Sequence, residues 1–186
     1  MRVVAGTLRG LRIGGCRAPG FRPTSERVRE ALFSILGPGV AGQPFLDLFA
    51  GSGAVGIEAL SRGASRAVFV ESDAQALDAL RENLLRAAQE HVAEVLPLDA
   101  LRALRLLGGR GESFPHVFAD PPYAYRGAPR LLRAIAQAGV LGSEGTFVLE
   151  HSVRGPVEPP KGLSLFRRER YGETALSFLR PACATA

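Results

Sequence analysis

Residues 45–56 read Phe45-Leu46-Asp47-Leu48-Phe49-Ala50-Gly51-Ser52-Gly53-Ala54-Val55-Gly56. A short apolar run stops at three glycines spaced G-x-G-x-x-G, and a helical pattern then runs from Ala54 to Arg62 and closes at Gly63. Glycine allows the backbone to turn tightly and to approach a ligand without a Cβ in the way. A helix that starts directly after such a loop offers unpaired N–H groups at its first turn. Strand, glycine loop and helix in that order predict the nucleotide-binding turn of a doubly wound α/β sheet.

The rhythm continues outward from this turn. Ala67–Val70 predicts a second strand and Ala74 to about Gln89 a long helix; Glu94–Leu98 and Ala100–Leu107 repeat the pair. Pro115–Ala119 gives a fourth strand with the helix Ala128–Ala138, and Thr146–Glu150 a fifth strand. Alternation of this kind implies a parallel sheet covered by helices. The end differs. Leu163–Arg170 and Thr174–Leu179 are separated by Tyr171-Gly172-Glu173, too short for a crossover helix, so they predict a hairpin that inserts an antiparallel strand.

Glu71 closes the second strand 20 residues after Gly51, where a carboxylate can accept from ribose hydroxyls. Loop and acid together indicate a nucleoside-containing cofactor, and by themselves fit a dinucleotide or S-adenosylmethionine equally. A Walker-type phosphate loop is excluded, since no Gly-Lys-Ser/Thr occurs. Asp47 tips the choice: a carboxylate directed at the cofactor cleft repels a pyrophosphate and attracts a sulfonium and an ammonium. Little chain remains for a dehydrogenase's substrate domain, and the closing hairpin is a variation seen in methyltransferase sheets.

Net charge is +5, 23 basic minus 18 acidic residues, and every base but Lys161 is arginine. Residues 1–25 carry Arg2, Arg9, Arg12, Arg17 and Arg22 with no acid, interleaved with Gly6, Gly10, Gly14, Gly15 and Gly20. An acid-free basic arm suits a phosphate backbone. Val3-Val4 and Leu11–Ile13 predict a small hairpin there, and Arg22-Pro23-Thr24 opens a helix that Thr24 or Ser25 can cap. Residues 1–40 are thus expected to form a basic extension (hairpin plus helix) and residues 41–186 the catalytic domain. Cys16 and Cys183 lack metal-ligand spacing and are expected to be incidental thiols of a cytoplasmic protein. No apolar run approaches membrane-spanning length.

Asp120-Pro121-Pro122-Tyr123 ends the fourth strand abruptly. Ligands bind beyond the carboxyl ends of such strands, and Asp47, Glu71, Asp99 and Asp120 all stand there. An exocyclic amine is a poor nucleophile because its lone pair is delocalised into the ring. Asp120 and a carbonyl of the Pro121-Pro122 segment can accept its two N–H bonds and aim the lone pair outward. The prolines remove donors and fix the carbonyls, and Tyr123 offers a face for an extruded base.

Asp47-Leu48-Phe49-Ala50-Gly51-Ser52-Gly53 resembles motif I of class I methyltransferases, and Asp120-Pro121-Pro122-Tyr123 resembles their motif IV. With Arg2-Val3-Val4-Ala5-Gly6, Arg9-Gly10 and the run from Arg22 to Phe33, nearly the whole chain resembles the RsmD-type 16S rRNA guanine-N2 methyltransferases. A Val4-Ala5-Gly6 opening, where that family has an Ile-Gly-Gly-like one, is a small departure. The resemblance implies a Rossmann-like, mostly parallel seven-stranded sheet with a C-terminal antiparallel hairpin.

It also implies a cofactor, S-adenosyl-L-methionine, held by Asp47, Phe49, Ala50, Gly51, Ser52, Gly53, Glu71, Ser72, Asp99 and Ala100, without a metal. Asp99 would accept from the adenine amine or cap the helix at Ala100. The target implied is a guanosine of 16S rRNA on an assembling small subunit, bound by a monomer through Arg2, Arg9, Arg12, Arg22, Arg27 and Arg29, with contact to the cofactor's carboxylate the alternative for Arg22, Arg27 and Arg29. Thr24, Tyr125 and Arg126 are further candidates on the RNA side, and Glu150-His151 on the border of the base pocket. Rival readings are an adenine-N6 methyltransferase on DNA or RNA, a nicotinamide-dependent oxidoreductase, and a non-catalytic RNA-binding module.

Overall fold

The computed structural model describes residues 1–15, 24–122, 125, 127–155 and 157–182. Tyr123, Ala124, Arg126, Arg17, Arg22 and both cysteines lie outside the described residues. Seven strands follow the order β3-β2-β1-β4-β5-β7-β6. They are β1 (Pro44–Leu48), β2 (Arg66–Val70), β3 (Ala93–Leu96), β4 (Phe114–Ala119), β5 (Leu141–Ser152), β6 (Leu163–Tyr171) and β7 (Thr174–Pro181). The helices are α1 (Glu26–Leu36), α2 (Ala54–Ser61), α3 (Ala74–Ala87), α4 (Ala100–Gly109) and α5 (Ala128–Gln137). This is the class I methyltransferase arrangement. Two compact units divide it, Met1–Asp99 and Ala100–Ala186. Among the described residues no helix is long and apolar enough to cross a membrane.

In the first unit β1 pairs with β2 and β2 with β3, all parallel. β1 and β2 are buried from their second residue onward, as strands covered on both faces should be. Every residue of α2 is buried, including Glu58 and Ser61. A helix enclosed all round needs cover on its outer side, and residues 1–15 supply it. Their two arms meet at the Arg2–Arg12 bridge, with Val3 N donating to Leu11 O and Gly10 N to Val3 O, both at 2.9 Å.

Glu58 fastens this hairpin: its carboxylate accepts from Val4 N at 2.7 Å and Ala5 N at 3.0 Å, and pairs with Arg62 at 2.9 Å. Ser61 accepts from Leu8 N at 2.9 Å through its hydroxyl and from Thr7 N at 2.8 Å through its carbonyl. Gly6 (φ 84°) lies so close that an added Cβ would fall 1.8 Å from Ser61 O. Ser25 caps α1 by accepting from Val28 N at 3.3 Å.

The second unit pairs β4 with β5 in parallel, and β7 antiparallel with both β5 and β6. The hairpin expected from Leu163 onward is therefore present, with its second strand inside and its first at the edge. β6 carries Arg167, Arg168, Glu169 and Arg170 and shifts register between Leu165 and Arg167, charge and irregularity that blunt an exposed edge.

Candidate active site

Building the glycine loop from its residues explains its shape. Gly51 and Gly53 have φ of 56° and 81°, conformations that cost glycine little. Between strand and loop Phe49 also has positive φ, 63°, an uncommon state for a bulky residue and one associated with functional turns. Gly53 is the N-cap of α2 and has no side chain to cap it. Asp47 does so from β1, with Oδ2 accepting from Gly56 N at 2.9 Å. Gly56 in turn packs on Phe69; a Cβ there would lie 2.2 Å from the ring.

This corrects the reading of Asp47. The sequence suggests a carboxylate presented to a cationic cofactor, but the side chain is only 1% exposed and turned onto the helix amide. Burial was invisible in the spacing, whereas the missing cap at Gly53 was a signal for an internal acceptor.

Glu71 follows β2 and organises the rim. Oε2 accepts from Gly51 N at 2.8 Å, and Oε1 accepts from Ser72 N at 2.7 Å and Asp73 N at 2.9 Å. A carboxylate has about four acceptor positions, so one remains, on Oε2 beside the loop. Asp73 caps α3 through Ala76 N at 2.9 Å. Asp99 is exposed just before α4, and Ala100 is buried. Asp47, Glu71 and Asp99 thus share the carboxyl-end rim of three parallel strands.

Asn83, absent from the sequence reading, ties the loop down. Its amide nitrogen donates to Ser52 O and to Gly14 O, each at 2.9 Å, and Oδ1 accepts from Gly14 N at 2.8 Å. The hairpin and the glycine loop are held by one side chain.

In the second unit Asp120 follows β4, half-buried, with Pro121 half-buried and Pro122 exposed. Pro122 O accepts from Tyr125 N at 2.7 Å, so the chain folds back into a turn after the prolines. All peptide bonds described are trans. His151, at the end of β5, has Nδ1 2.8 Å from Ser152 O and Nε2 2.8 Å from Ser177 Oγ. Burial holds its pKa below the ordinary histidine value, and the nearby Arg168 cation lowers it further.

The basic arm divides. Arg2, Arg9, Arg12 and Arg27 are exposed. Arg29 is not: it is 0% exposed, donating to Thr24 O at 2.8 Å and to Arg2 O, with Met1 Sδ at 3.4 Å. It is removed from the RNA-facing set as a buried strut between α1 and the hairpin. Its i, i+3, i+4 spacing to Leu32 and Phe33 marked it for the buried face. Thr24 is also buried. Arg22, Tyr123 and Arg126 lie outside the described residues.

The strand order, the glycine loop and the acids at the strand ends define a class I methyltransferase, a class that uses S-adenosylmethionine. The family model described as Conserved hypothetical protein 95 matches residues 1–180, and the chain belongs to that family, of the RsmD and YlbH type. It is 34% identical to "Ribosomal RNA small subunit methyltransferase D" of Escherichia coli (strain K12) over 178 residues, 94% of this chain and 87% of that protein. The structure of hypothetical protein TTHA0928 of Thermus thermophilus superposes with a TM-score of 0.83 at 35% identity, covering 97% of this chain and 99% of that one. SMU.776, solved with SAH, shares the fold at a TM-score of 0.68 and 14% identity, over 86% of this chain and 50% of that one.

Proposed function

We propose that the protein transfers a methyl group from S-adenosylmethionine to the exocyclic N2 amine of one guanosine in 16S rRNA, on an assembling small subunit. The observation that carries the reading is an intact Asp120-Pro121-Pro122-Tyr123 at the end of β4 in a chain whose relatives include small-subunit rRNA methyltransferases.

When bound, the cofactor supplies the methyl as an electrophilic carbon on a sulfonium and keeps the S–C electron pair on its sulfur. The chain's own residues do the rest. Gly51, Ser52 and Gly53 form a cradle without side-chain bulk at its turns, and Glu71 keeps one acceptor position for a ribose hydroxyl. Asp99 accepts from the adenine amine. Asp120 accepts one N–H of the guanine amine. Pro121 O accepts the other, while Pro122 O accepts from Tyr125 N and holds the turn. Two acceptors make the nitrogen pyramidal, favour the positive charge that develops there, and direct its lone pair at the methyl. Asp120 takes the proton that the methylated, cationic nitrogen gives up and passes it to water. Tyr123 stacks on the extruded base, worth roughly 1–3 kcal/mol by analogy with single-strand binders. Arg2, Arg9, Arg12 and Arg27 contact phosphates.

The test is methylation of small-subunit particles and of naked 16S rRNA lacking the modification, followed by nuclease digestion and mass spectrometry. N2-methylguanosine, lost in Asp120→Ala with S-adenosylhomocysteine binding retained, is the expected result. N6-methyladenosine, or undiminished turnover in Asp120→Ala, rejects the reading.

A further inference from the structure

Between α4 and α5, both in the second unit, runs an open groove of about 700 Å³. Leu101, Leu104 and Arg105 line it from α4, and Arg130, Arg133 and Ala134 from α5. These positions fall at i, i+3 and i+4 on each helix, so a single face of each is turned to the groove. The floor is apolar, Leu104 being 1% exposed. One end is closed by backbone: a Cβ on Gly108 would lie 2.3 Å from Ala138 O.

The rim is the unusual part. Arg105, Arg130 and Arg133 are exposed, and among the described residues no hydrogen bond or ion pair engages any of them. Other surface arginines are paired with acids, among them Arg81–Asp78 at 3.6 Å, Arg110–Glu112 at 3.4 Å and Arg167–Glu169 at 2.9 Å, whereas the groove arginines share their unpaired state with those described in the N-terminal arm. α4 (ALRALRLLGG) and α5 (APRLLRAIAQ) contain no acid at all. Like charges gathered around one concavity raise its positive potential and concentrate anions there. Guanidinium forks match phosphate oxygens two at a time. Among the described residues no aromatic side chain lines the groove, so rings for stacking bases are not among its contacts and its arginines are matched to backbone phosphate.

We infer that the α4–α5 groove is a second rRNA-contact surface, in which Arg105, Arg130 and Arg133 grip the phosphate backbone of the substrate at a place separate in sequence from the N-terminal arm. The inference rests on the rRNA reading above and names the part of the surface that positions the RNA without selecting the base.

The experiment compares the full chain with the triple variants Arg105→Gln/Arg130→Gln/Arg133→Gln and Arg105→Lys/Arg130→Lys/Arg133→Lys. Fluorescence anisotropy on a small-subunit rRNA transcript is followed across a KCl series. At about 0.7–0.9 log units per phosphate contact, the loss of three contacts in the glutamine variant is expected to flatten the salt slope by about 2–3. The lysine variant should return it, and S-adenosylhomocysteine affinity should stay as in the unsubstituted chain in all three. An unchanged slope in the glutamine variant, or no recovery with lysine, overturns the groove and leaves the methyltransferase reading standing. Weakened binding to small-subunit particles with an unchanged slope on naked transcript also overturns it, and points to an acidic protein partner. Failure of the unsubstituted chain to bind rRNA removes both the groove and the rRNA reading.

Discussion

Asn83 and Ser52 are joined by a 2.9 Å hydrogen bond from the side-chain amide to the loop carbonyl, and the second N–H of the same nitrogen is taken by Gly14 O. The amide is 1% exposed and has donors and acceptor all in use. A change at the hairpin is therefore felt by the glycine loop through one planar group.

Asn83→Ala should leave Ser52 O and both polar groups of Gly14 without their partner. Unsatisfied buried groups cost about 1–3 kcal/mol, and a loss in this range is expected in urea unfolding, together with weaker S-adenosylhomocysteine binding by calorimetry. Asn83→Asp should cost more, since it sets a carboxylate against two carbonyls. Unaltered binding in both variants would show that the loop does not depend on this bond.

Gly56→Ala and Gly109→Ala separate packing from propensity. The new methyl at 56 meets Phe69 at 2.2 Å, whereas nothing lies within 4 Å at 109. Overpacking costs typically about 1–3 kcal/mol, and a glycine-to-alanine change in a helix gains up to about 1 kcal/mol. Thermal unfolding should show a loss for the first and no loss for the second. Adding Phe69→Leu to Gly56→Ala should recover part of the stability; no recovery would assign the cost elsewhere.

Glu58→Gln keeps the shape of the side chain and removes a charged acceptor from between Val4 N, Ala5 N and Arg62. Hydrogen bonds to charged groups are worth about 1.5–3 kcal/mol. The hairpin should loosen, and rRNA affinity should fall more than cofactor affinity. Equal losses would mean that the hairpin is not an RNA element.

Arg27 and Arg29 should behave oppositely. Arg29→Gln should lower the unfolding free energy by about 2 kcal/mol, for a buried charge-assisted pair of bonds, with a lower midpoint, and leave the salt slope of rRNA binding unchanged. Arg27→Gln should reduce that slope by up to about 0.9 and leave the midpoint unchanged. Reversed outcomes would exchange their roles.

Acidification should weaken the second unit through His151. Its folded-state pKa lies below the unfolded value, so the unfolded chain takes up the proton first. The stability from a neutral His151 is complete above about pH 6.5 and is lost as pH falls from there through the folded pKa. Thermal scans from pH 7.5 to 5.5 should show this decline, and His151→Gln should flatten it. An equally steep decline in the variant would place the responsible group elsewhere.

The order of elements was legible because the alternation of apolar runs and helical patterns is strong. It predicted strands beginning near Phe45, Ala67, Glu94 and Pro115, where β1 to β4 lie, and the closing hairpin of β6 and β7. β5 is longer than Thr146–Glu150, running from Leu141 to Ser152, because glycines and polar residues at its start carry no apolar signal. The direction of individual side chains was not legible. Asp47 and Arg29 are charged residues whose partners include backbone groups brought close only by folding, and Asn83, Glu58 and Ser61 lie far in sequence from the amides they hold. Hydropathy reports which residues can be buried, but long-range satisfaction of backbone polar groups decides which polar ones are.

β7 occupies the position between β5 and β6 although it is the last of the three to be synthesised. Chain elongation on the ribosome is slower than local structure formation, so β6 leaves the exit tunnel with no neighbour to zip against. Until Thr174–Pro181 arrives, its open backbone is a template for any other extended segment nearby. The arginines and the irregularity of β6 then act as a guard for the nascent chain, protecting it during the interval before its own final strand closes the sheet.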